Sequence, residues 1–209
     1  MRICLAATVI LLVSTPALAE EPPPDLPRIQ NLTYGGPGCP AGSVYTSVRL
    51  DGSFTVGFDR MLALIGPGVA LAESRKSCTV RLEIVAPPGY TYAIAAVDHS
   101  GSASVAAGAT AEWRSEFYFP GPVAMPLTYT TIPGPFESDW VETELVATDA
   151  LRWAPCGAGP SQLILVHQVR LRRGSSAPDS SSFIALDNLS EFPGQLYHLA
   201  WKACTVEMP

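Results

Sequence analysis

The densest group of chemically active side chains is an acidic stretch in the second half of the chain. It follows the pattern E-x-D-x-x-E, and its residues are Glu137, Asp139, Glu142 and, just beyond, Glu144. Two carboxylates that flank a glycosidic bond hydrolyse it, one as the acid and the other as the nucleophile or base. Carboxylate oxygens are also calcium ligands. The stretch would support either chemistry if its carboxylates converged.

The spacing argues against that convergence. On an unbroken strand Glu137 and Asp139 share one face, whereas Glu142 points to the other. A catalytic pair would need a β-bulge between them, and nothing in the sequence requires one. We therefore interpret the stretch as a solvated acidic strand. We predict no catalytic residue, no enzyme activity, no metal site and no cofactor, and we keep a secreted polysaccharide hydrolase as the alternative.

Three other polar groups have simpler interpretations. Members of a catalytic triad converge from separate elements, so the run Asp98 to Ser100 predicts a polar turn. His167 alternates with apolar residues, which predicts a hydrogen-bonded histidine that faces the core. The main basic concentration predicts a solubilising surface, with contact to an anionic glycan as the alternative. Its members are Arg170, Arg172, Arg173 and Lys202.

The N-terminus has the pattern of a secretory signal. A basic start precedes an apolar run from Ile3 to Val13, and Ala17-Leu18-Ala19 is a small-x-small cleavage site. Residues 1–19 are therefore predicted to be a signal peptide and the protein to be secreted. The apolar run is too short to cross a bilayer as a helix, so no membrane span is predicted.

Four cysteines remain after the predicted cleavage: Cys39, Cys78, Cys156 and Cys204. An even number in an exported chain favours two disulfides. Three pairings are open, and we favour Cys39 with Cys78 and Cys156 with Cys204. A zinc site is disfavoured because the cysteines form no C-x-x-C pair and the histidines lack ligand spacing.

Composition limits the class of protein. The chain has 209 residues, of which 47% are hydrophobic and 15% charged, with 20 Pro and 17 Gly. These values exclude a disordered acidic tail and a long-helix protein. The formal net charge of -6 makes nucleic acid an unsuitable partner. Residues 20–30 predict a Pro-rich mobile lead-in, and residues 31–209 predict a single domain.

Short alternating apolar and polar stretches dominate the chain after the lead-in. Asp51-Gly52 separates two such stretches between Val44 and Phe58, which predicts a hairpin. Pro87-Pro88-Gly89 predicts a second one. About nine to ten short strands are expected, which indicates an all-β, antiparallel sandwich of jelly-roll type. Asn31 and Asn188 begin glycosylation sequons, which matter only in a eukaryotic source.

Several motifs along the chain resemble the secreted family catalogued as domain of unknown function 4360. They are Tyr34-Gly35-Gly36-Pro37-Gly38-Cys39-Pro40, Gly66-Pro67-Gly68, Ser74-Arg75-Lys76-Ser77-Cys78, Pro87-Pro88-Gly89-Tyr90, Trp153-Ala154-Pro155-Cys156-Gly157 and Leu199-Ala200-Trp201-Lys202-Ala203-Cys204. The resemblance implies a secreted, disulfide-stapled, β-rich domain found in bacteria and fungi, and it implies no activity. The family pattern has Asn and an aromatic residue where this chain has Ser77 and His99.

Together these observations predict a secreted, non-catalytic β-sandwich that binds an extracellular ligand, either a glycan, the matrix or a protein. The hydrolase described above is one alternative. A secreted effector or inhibitor that acts on another organism's proteins is the other.

Overall fold

The structure is a computed structural model. It describes residue 23 and residues 25–120, 127–157, 159–186, 188–189 and 192–204. The predicted signal peptide lies outside the described residues. The first strand begins at Arg28, three residues before the predicted start of the domain.

Most of the described chain forms β-strands, and its helical segments are short 3₁₀ turns at Leu71–Ser74 and Thr148–Ala150. The strands are β1 Arg28–Gly35, β2 Val44–Val48, β3 Phe54–Phe58, β4 Leu62–Ile65, β5 Arg75–Val85, β6 Tyr90–Val105, β7 Thr110–Tyr118, β8 Leu127–Pro133, β9 Phe136–Leu145, β10 Ser161–Arg172, β11 Ser182–Ala185, β12 Asn188–Leu189, β13 Phe192–Pro193 and β14 Gln195–Ala203.

Two antiparallel sheets form the sandwich, which confirms the predicted fold class. The five-stranded sheet has the order β1-β5-β10-β7-β8. The seven-stranded sheet has the path β2-β3-β14-β6-β11-β4, and β9 pairs along the other edge of β6. Together the two sheets contain twelve strands within the described residues, more than the nine to ten predicted. The two strands beyond that number are β1, which begins inside the predicted lead-in, and the four-residue strand β4, which is too short to show a recognisable alternation.

The core lies between the sheets and is filled by alternate residues of each strand. On β10 the residues from Leu163 to Leu171 at odd positions are buried, and on β7 the same holds for Ala111 to Phe117. Trp113, Tyr92, Tyr197, Phe54, Phe58 and Phe117 are the largest fully buried side chains. Each large apolar side chain contributes roughly 1.5–3 kcal/mol when it is buried.

Both disulfides have the favoured pairing. Cys39 bonds Cys78 and Cys156 bonds Cys204. The first bridge is fully buried, whereas Cys156 is exposed at the surface. The two bridges therefore differ in solvent access.

Only one of the two predicted hairpins exists. Asp51-Gly52 joins the paired strands β2 and β3, with Gly52 at φ 81°. Pro87-Pro88-Gly89 forms a turn, with Tyr90 N donating to Pro87 O at 3.1 Å. The hairpin prediction there was wrong, because β5 and β6 belong to different sheets and the turn carries the chain across the core.

Candidate functional site

The acidic stretch lies on β9, and its carboxylates are divided between two faces. Glu137 and Asp139 are exposed, whereas Glu142 and Glu144 are partly buried on the inner face. The β6–β9 register runs without a shift from Ala96↔Leu145 to Val105↔Phe136. The bulge that a catalytic pair needs is therefore absent from β9.

Neighbouring groups already engage the inner carboxylates. Thr130 Oγ1 on β8 donates to Glu142 Oε1 at 3.0 Å. Glu144 Oε2 is 3.5 Å from His99 Nε2. Within the described part of the chain, no three Asp, Glu, His or Cys side chains are grouped so that they could hold a metal ion.

A buried polar cluster crosses the middle of the sandwich, and the sequence predicted only the inward position of His167 and not the cluster around it. We call it the inner cluster, and its members are His99, Ser115, His167, Gln195 and Tyr197, all buried. His99 Nδ1 donates to Gln195 Oε1 at 2.9 Å, and Gln195 Nε2 donates to Ser100 O at 2.9 Å. A hydrogen bond of 3.0 Å joins the Tyr197 hydroxyl to Nε2 of His167.

The position of His99 follows from a bulge in β6. The β14–β6 register shifts so that His198 pairs with Ala96 but Leu199 pairs with Ile94, which leaves Ala95 extra. Buried positions therefore change from even numbers before the bulge to odd numbers after it. His99 consequently faces the core. The prediction of a polar turn at Asp98 to Ser100 was wrong because this run lies inside a 16-residue strand.

Two stacked indole rings pack beside His99 of the inner cluster. Trp113 lies 4.5 Å from His99 between ring centroids and stacks on Trp140 at 5.4 Å. Nε1 of each tryptophan and Nδ1 of His167 are buried and have no hydrogen-bond partner among the described residues. The cluster is therefore held mainly by packing, with hydrogen bonds along one side.

His167 is held neutral by its surroundings, as expected for an inward histidine. Burial, and secondarily the charge on nearby His99, lowers the pKa of His167 from 6.5 to about 3. Burial also raises the pKa of Tyr197, its hydrogen-bond partner. The pair therefore carries no charge near neutral pH.

This neutrality predicts an acid-sensitive fold. Because the pKa of His167 is lowered by folding, its stabilising contribution is complete above pH 6.5 and is lost as pH falls towards 3. Between pH 7 and pH 5 the loss is about 2 kcal/mol of unfolding free energy. Urea unfolding at several pH values, compared with His167→Gln, isolates the effect. Parallel pH curves for the two proteins would contradict it.

On the outer side of β6, Asp98 forms hydrogen bonds to residues of the two neighbouring strands. His198 Nε2 lies 2.8 Å from Asp98 Oδ2, and Thr143 Oγ1 donates to Asp98 Oδ1 at 2.6 Å. Burial works to raise the pKa of Asp98, but the hydrogen bonds from Thr143 and His198 outweigh it and keep that pKa below its ordinary value. These hydrogen bonds join β9, β6 and β14 across the sheet.

A second polar surface lies on the outer side of the five-stranded sheet. We call it the arginine face; it belongs to β5, β10, β7 and β8, and consists of Arg75, Arg81, Glu112, Arg114, Glu116, Tyr118, Tyr129, Gln168, Arg170 and Arg172. These positions alternate with those that face the core, so their side chains lie on the outer side of the sheet, where Glu112 is itself buried. The strand order brings them together, although they are spread over about a hundred residues of sequence.

Hydrogen bonds order much of this face. Arg114 Nη2 donates to Glu116 Oε1 at 2.7 Å, and Arg172 Nε donates to Glu112 Oε1. Arg75 Nη2 donates to the Gln168 side-chain oxygen at 2.9 Å. The arginine side chains are therefore partly fixed in place across three strands.

The structure divides the predicted basic concentration. Arg170 and Arg172 belong to the arginine face, whereas Arg173 Nη1 donates to the carbonyl oxygens of Ala177 and Pro178. Lys202 lies on the other sheet, with Nζ 4.9 Å from the Trp153 ring. Only the first two residues remain available at the sheet surface.

The glycosylation sequons lie at different places. Asn31 is exposed on β1, and its Nδ2 donates to Glu83 Oε2 at 2.7 Å. Asn188 belongs to β12, and Ser190 of its sequon lies outside the described residues.

A groove of about 770 Å³ lies at one end of the sandwich. It is bordered by the start of β1, by the turn between β5 and β6 and by the Cys156–Cys204 bridge. Arg28 and Asp25 contribute its charged groups. The Cys156–Cys204 disulfide is therefore accessible to solvent from this groove.

Comparisons with known proteins found a matching family model and a relative. A family model described as domain of unknown function 4360 matches residues 25–204. An uncharacterized secreted protein of Arthroderma benhamiae (strain ATCC MYA-4681 / CBS 112371) is 32% identical over 187 residues, which are 89% of this chain and 75% of that protein. No solved structure matches the chain.

Location follows from the same observations. Disulfides persist in oxidising compartments, and this chain has two, as well as a secreted relative. No helix in the described ranges is long and apolar enough to cross a membrane. The protein is secreted and extracellular, and the chain belongs to the family described as domain of unknown function 4360 (DUF4360).

Proposed function

We propose that this protein binds an extracellular glycan on the arginine face and does so without catalysis. The observation that carries the proposal is an open sheet surface on which arginine, glutamine and tyrosine side chains from four adjacent strands stand side by side. Neighbouring strands are about 4.8 Å apart, so the face extends roughly 14 Å across β8, β7, β10 and β5. That extent suits an elongated ligand.

The chemistry of the face suits sugar hydroxyls. Guanidinium groups offer several N–H donors in one plane, and carboxylate and amide oxygens offer acceptors beside them. Tyr129 is 54% exposed and opposes Arg114 on the neighbouring strand. Its ring supplies an apolar surface with a polar tip, which packs on the C–H side of a sugar ring.

The same face is poorly suited to a protein partner. The centres of protein interfaces are depleted in charged residues and rich in apolar and aromatic ones. Eight large apolar side chains are exposed in the part of the chain that the structure describes, and only Tyr129 belongs to a strand of the five-stranded sheet. Charged groups occupy most of the face instead.

The arrangement of carboxylates supports binding without hydrolysis. Glu137 and Asp139 are on the opposite side of β9 from Glu142, so they do not form the pair of carboxylates that glycosidic cleavage requires. None of the three belongs to the arginine face. A binding role for that face therefore does not depend on the acidic stretch.

A polysaccharide-binding screen with the oxidised protein tests the proposal. We expect micromolar to millimolar binding to at least one polymer and about tenfold weaker binding by Tyr129→Ala, which removes roughly 1.4 kcal/mol of ring contact. Leu145→Ala is the matched control, because Leu145 is 78% exposed on β9 of the other sheet.

Two results would overturn the proposal. One is a complete lack of polysaccharide binding, or binding that Tyr129→Ala leaves unchanged. The other is release of reducing ends by the wild-type protein that Glu142→Gln abolishes, which would establish the hydrolase alternative.

A further inference from the structure

We propose that the glycan is acidic and that a uronate carboxylate binds between Arg75 and Arg170. This inference rests on the proposed function and adds the chemical class of its ligand. The observation behind it is a pair of like charges, Arg75 and Arg170, that does not stabilise the fold.

Arg75 and Arg170 are direct cross-strand partners in the β5–β10 register. Both side chains project from the outer side of the sheet, because the buried residues of these strands are the alternate ones. Like charges directly opposite each other on neighbouring strands destabilise a sheet. An arginine pair in this position is therefore unfavourable until an anion lies between the two guanidinium groups.

The carboxylates nearby do not neutralise the pair. Glu112 opposes Arg170 on β7, but its Oε1 accepts a hydrogen bond from Arg172 Nε. Glu73, close to Arg75 in sequence, is bound to Lys76 at 2.8 Å. Around the Arg75–Arg170 pair there are thus three guanidinium groups, including that of Arg172, and one carboxylate. That carboxylate, Glu112, is already hydrogen-bonded to Arg172.

The remaining charges of the face do not change this balance. Glu116 is paired with Arg114, and Glu83 accepts from Asn31 on β1. Arg81 has no carboxylate partner among the described residues. The arginine face therefore carries five arginines against the two glutamates Glu112 and Glu116, with Glu83 beside it on β5, in a chain whose formal net charge is -6.

The geometry of the Arg75–Arg170 pair favours a carboxylate as the bound anion. A guanidinium group presents a planar fork of donors that matches the two oxygens of a carboxylate. Gln168 Oε1 accepts from Arg75 Nη2 at 2.9 Å, which orients Arg75 and leaves its other N–H groups available. Gln168, Arg114 and Tyr129 are cross-strand partners in one row on β10, β7 and β8. Tyr129 therefore supplies a stacking surface for another sugar of the same chain.

The test measures binding of the oxidised protein to polygalacturonate, dextran sulfate and dextran, with the variants Arg75→Gln, Arg170→Gln and the double variant. Arg60→Gln is the matched control, because Arg60 is exposed in the turn between β3 and β4. Each face variant should bind polygalacturonate about 10- to 100-fold more weakly, as expected for a lost charge-assisted contact. The control should bind as the wild type does.

Two further measurements separate binding from folding. Removing one member of an opposed like-charge pair should leave the unfolding free energy unchanged or higher. Arg170→Lys keeps the charge but loses the planar fork, so it should retain only part of the affinity. Binding should also weaken as salt concentration rises.

The outcomes distinguish this inference from the proposed function. Dextran binding that depends on Tyr129 but not on Arg75 or Arg170 would preserve the proposed function and overturn the acidic ligand. Equal or tighter binding of dextran sulfate would show that charge alone is recognised and would overturn the uronate assignment. Failure to bind any of the three polymers would overturn the acidic ligand, and a lack of binding across the whole polysaccharide screen would overturn the proposed function as well.

Discussion

Replacing both Cys39 and Cys78 with alanine should lower the unfolding free energy by about 4 kcal/mol, the chain-entropy value for a loop of this length. The bridge closes a sequence separation of 39 residues. Both cysteines are fully buried, and Cys78 pairs with His167 in the β5–β10 register. Their loss therefore also removes packing beside the inner cluster. Urea unfolding under non-reducing conditions measures the change.

The second bridge provides the matched control. Cys156→Ala with Cys204→Ala opens a separation of 48 residues, so the entropic loss is similar. Cys156 is exposed, however, so less packing is lost, and the buried bridge should be the more costly to remove. Mild reductant followed by peptide mapping should show that Cys156–Cys204 opens first, because thiolate attack requires access. The reverse order in either experiment would contradict this difference between the bridges.

The sequence predicted features that depend on local alternation and on covalent constraint. The pleat alone separates Glu137 and Asp139 from Glu142, and an even number of exported cysteines suggested the two bridges. The Asp51-Gly52 hairpin was likewise evident, because such a turn leaves few alternatives. Each of these features is determined within a few residues or by a covalent bond.

Features that depend on partners distant in sequence were missed. The bulge at Ala95 exchanges the two faces of β6, so alternation counted from Tyr92 would have placed Asp98 inside and His99 outside. The arginine face depends on β5, β10 and β7 being neighbours, although they are not consecutive in the chain. No spacing within one strand could have shown that Arg75 opposes Arg170.

The inner cluster and the arginine face share strands β7 and β10 of the five-stranded sheet. On β10, His167 faces the core, and Gln168 and Arg170 face outward. On β7, Trp113 and Arg114 are adjacent and point to opposite sides. The packing of the inner cluster therefore sets the strand positions on which the arginine face depends, so a loss of core packing should affect both stability and ligand binding.

Trp113→Ala should cost about 4 kcal/mol of unfolding free energy, within the usual range for truncation of a buried tryptophan. Trp113 is 1% exposed and lies between His99 and Trp140. Trp113→Phe should cost only about 1–2 kcal/mol, because it retains a ring and leaves a smaller cavity. The indole Nε1 has no hydrogen-bond partner among the described residues, so its removal adds no further loss.

Urea unfolding of the two Trp113 variants, with Trp153→Ala as the control, tests this reasoning. Trp153 is only partly buried and packs under Lys202 at the end of the sandwich, so its truncation should cost less than that of Trp113. If Trp113→Phe proved as costly as Trp113→Ala, the indole N–H would have to donate a hydrogen bond that stabilises the core. The inner cluster would then be held by hydrogen bonding at this position and not by packing.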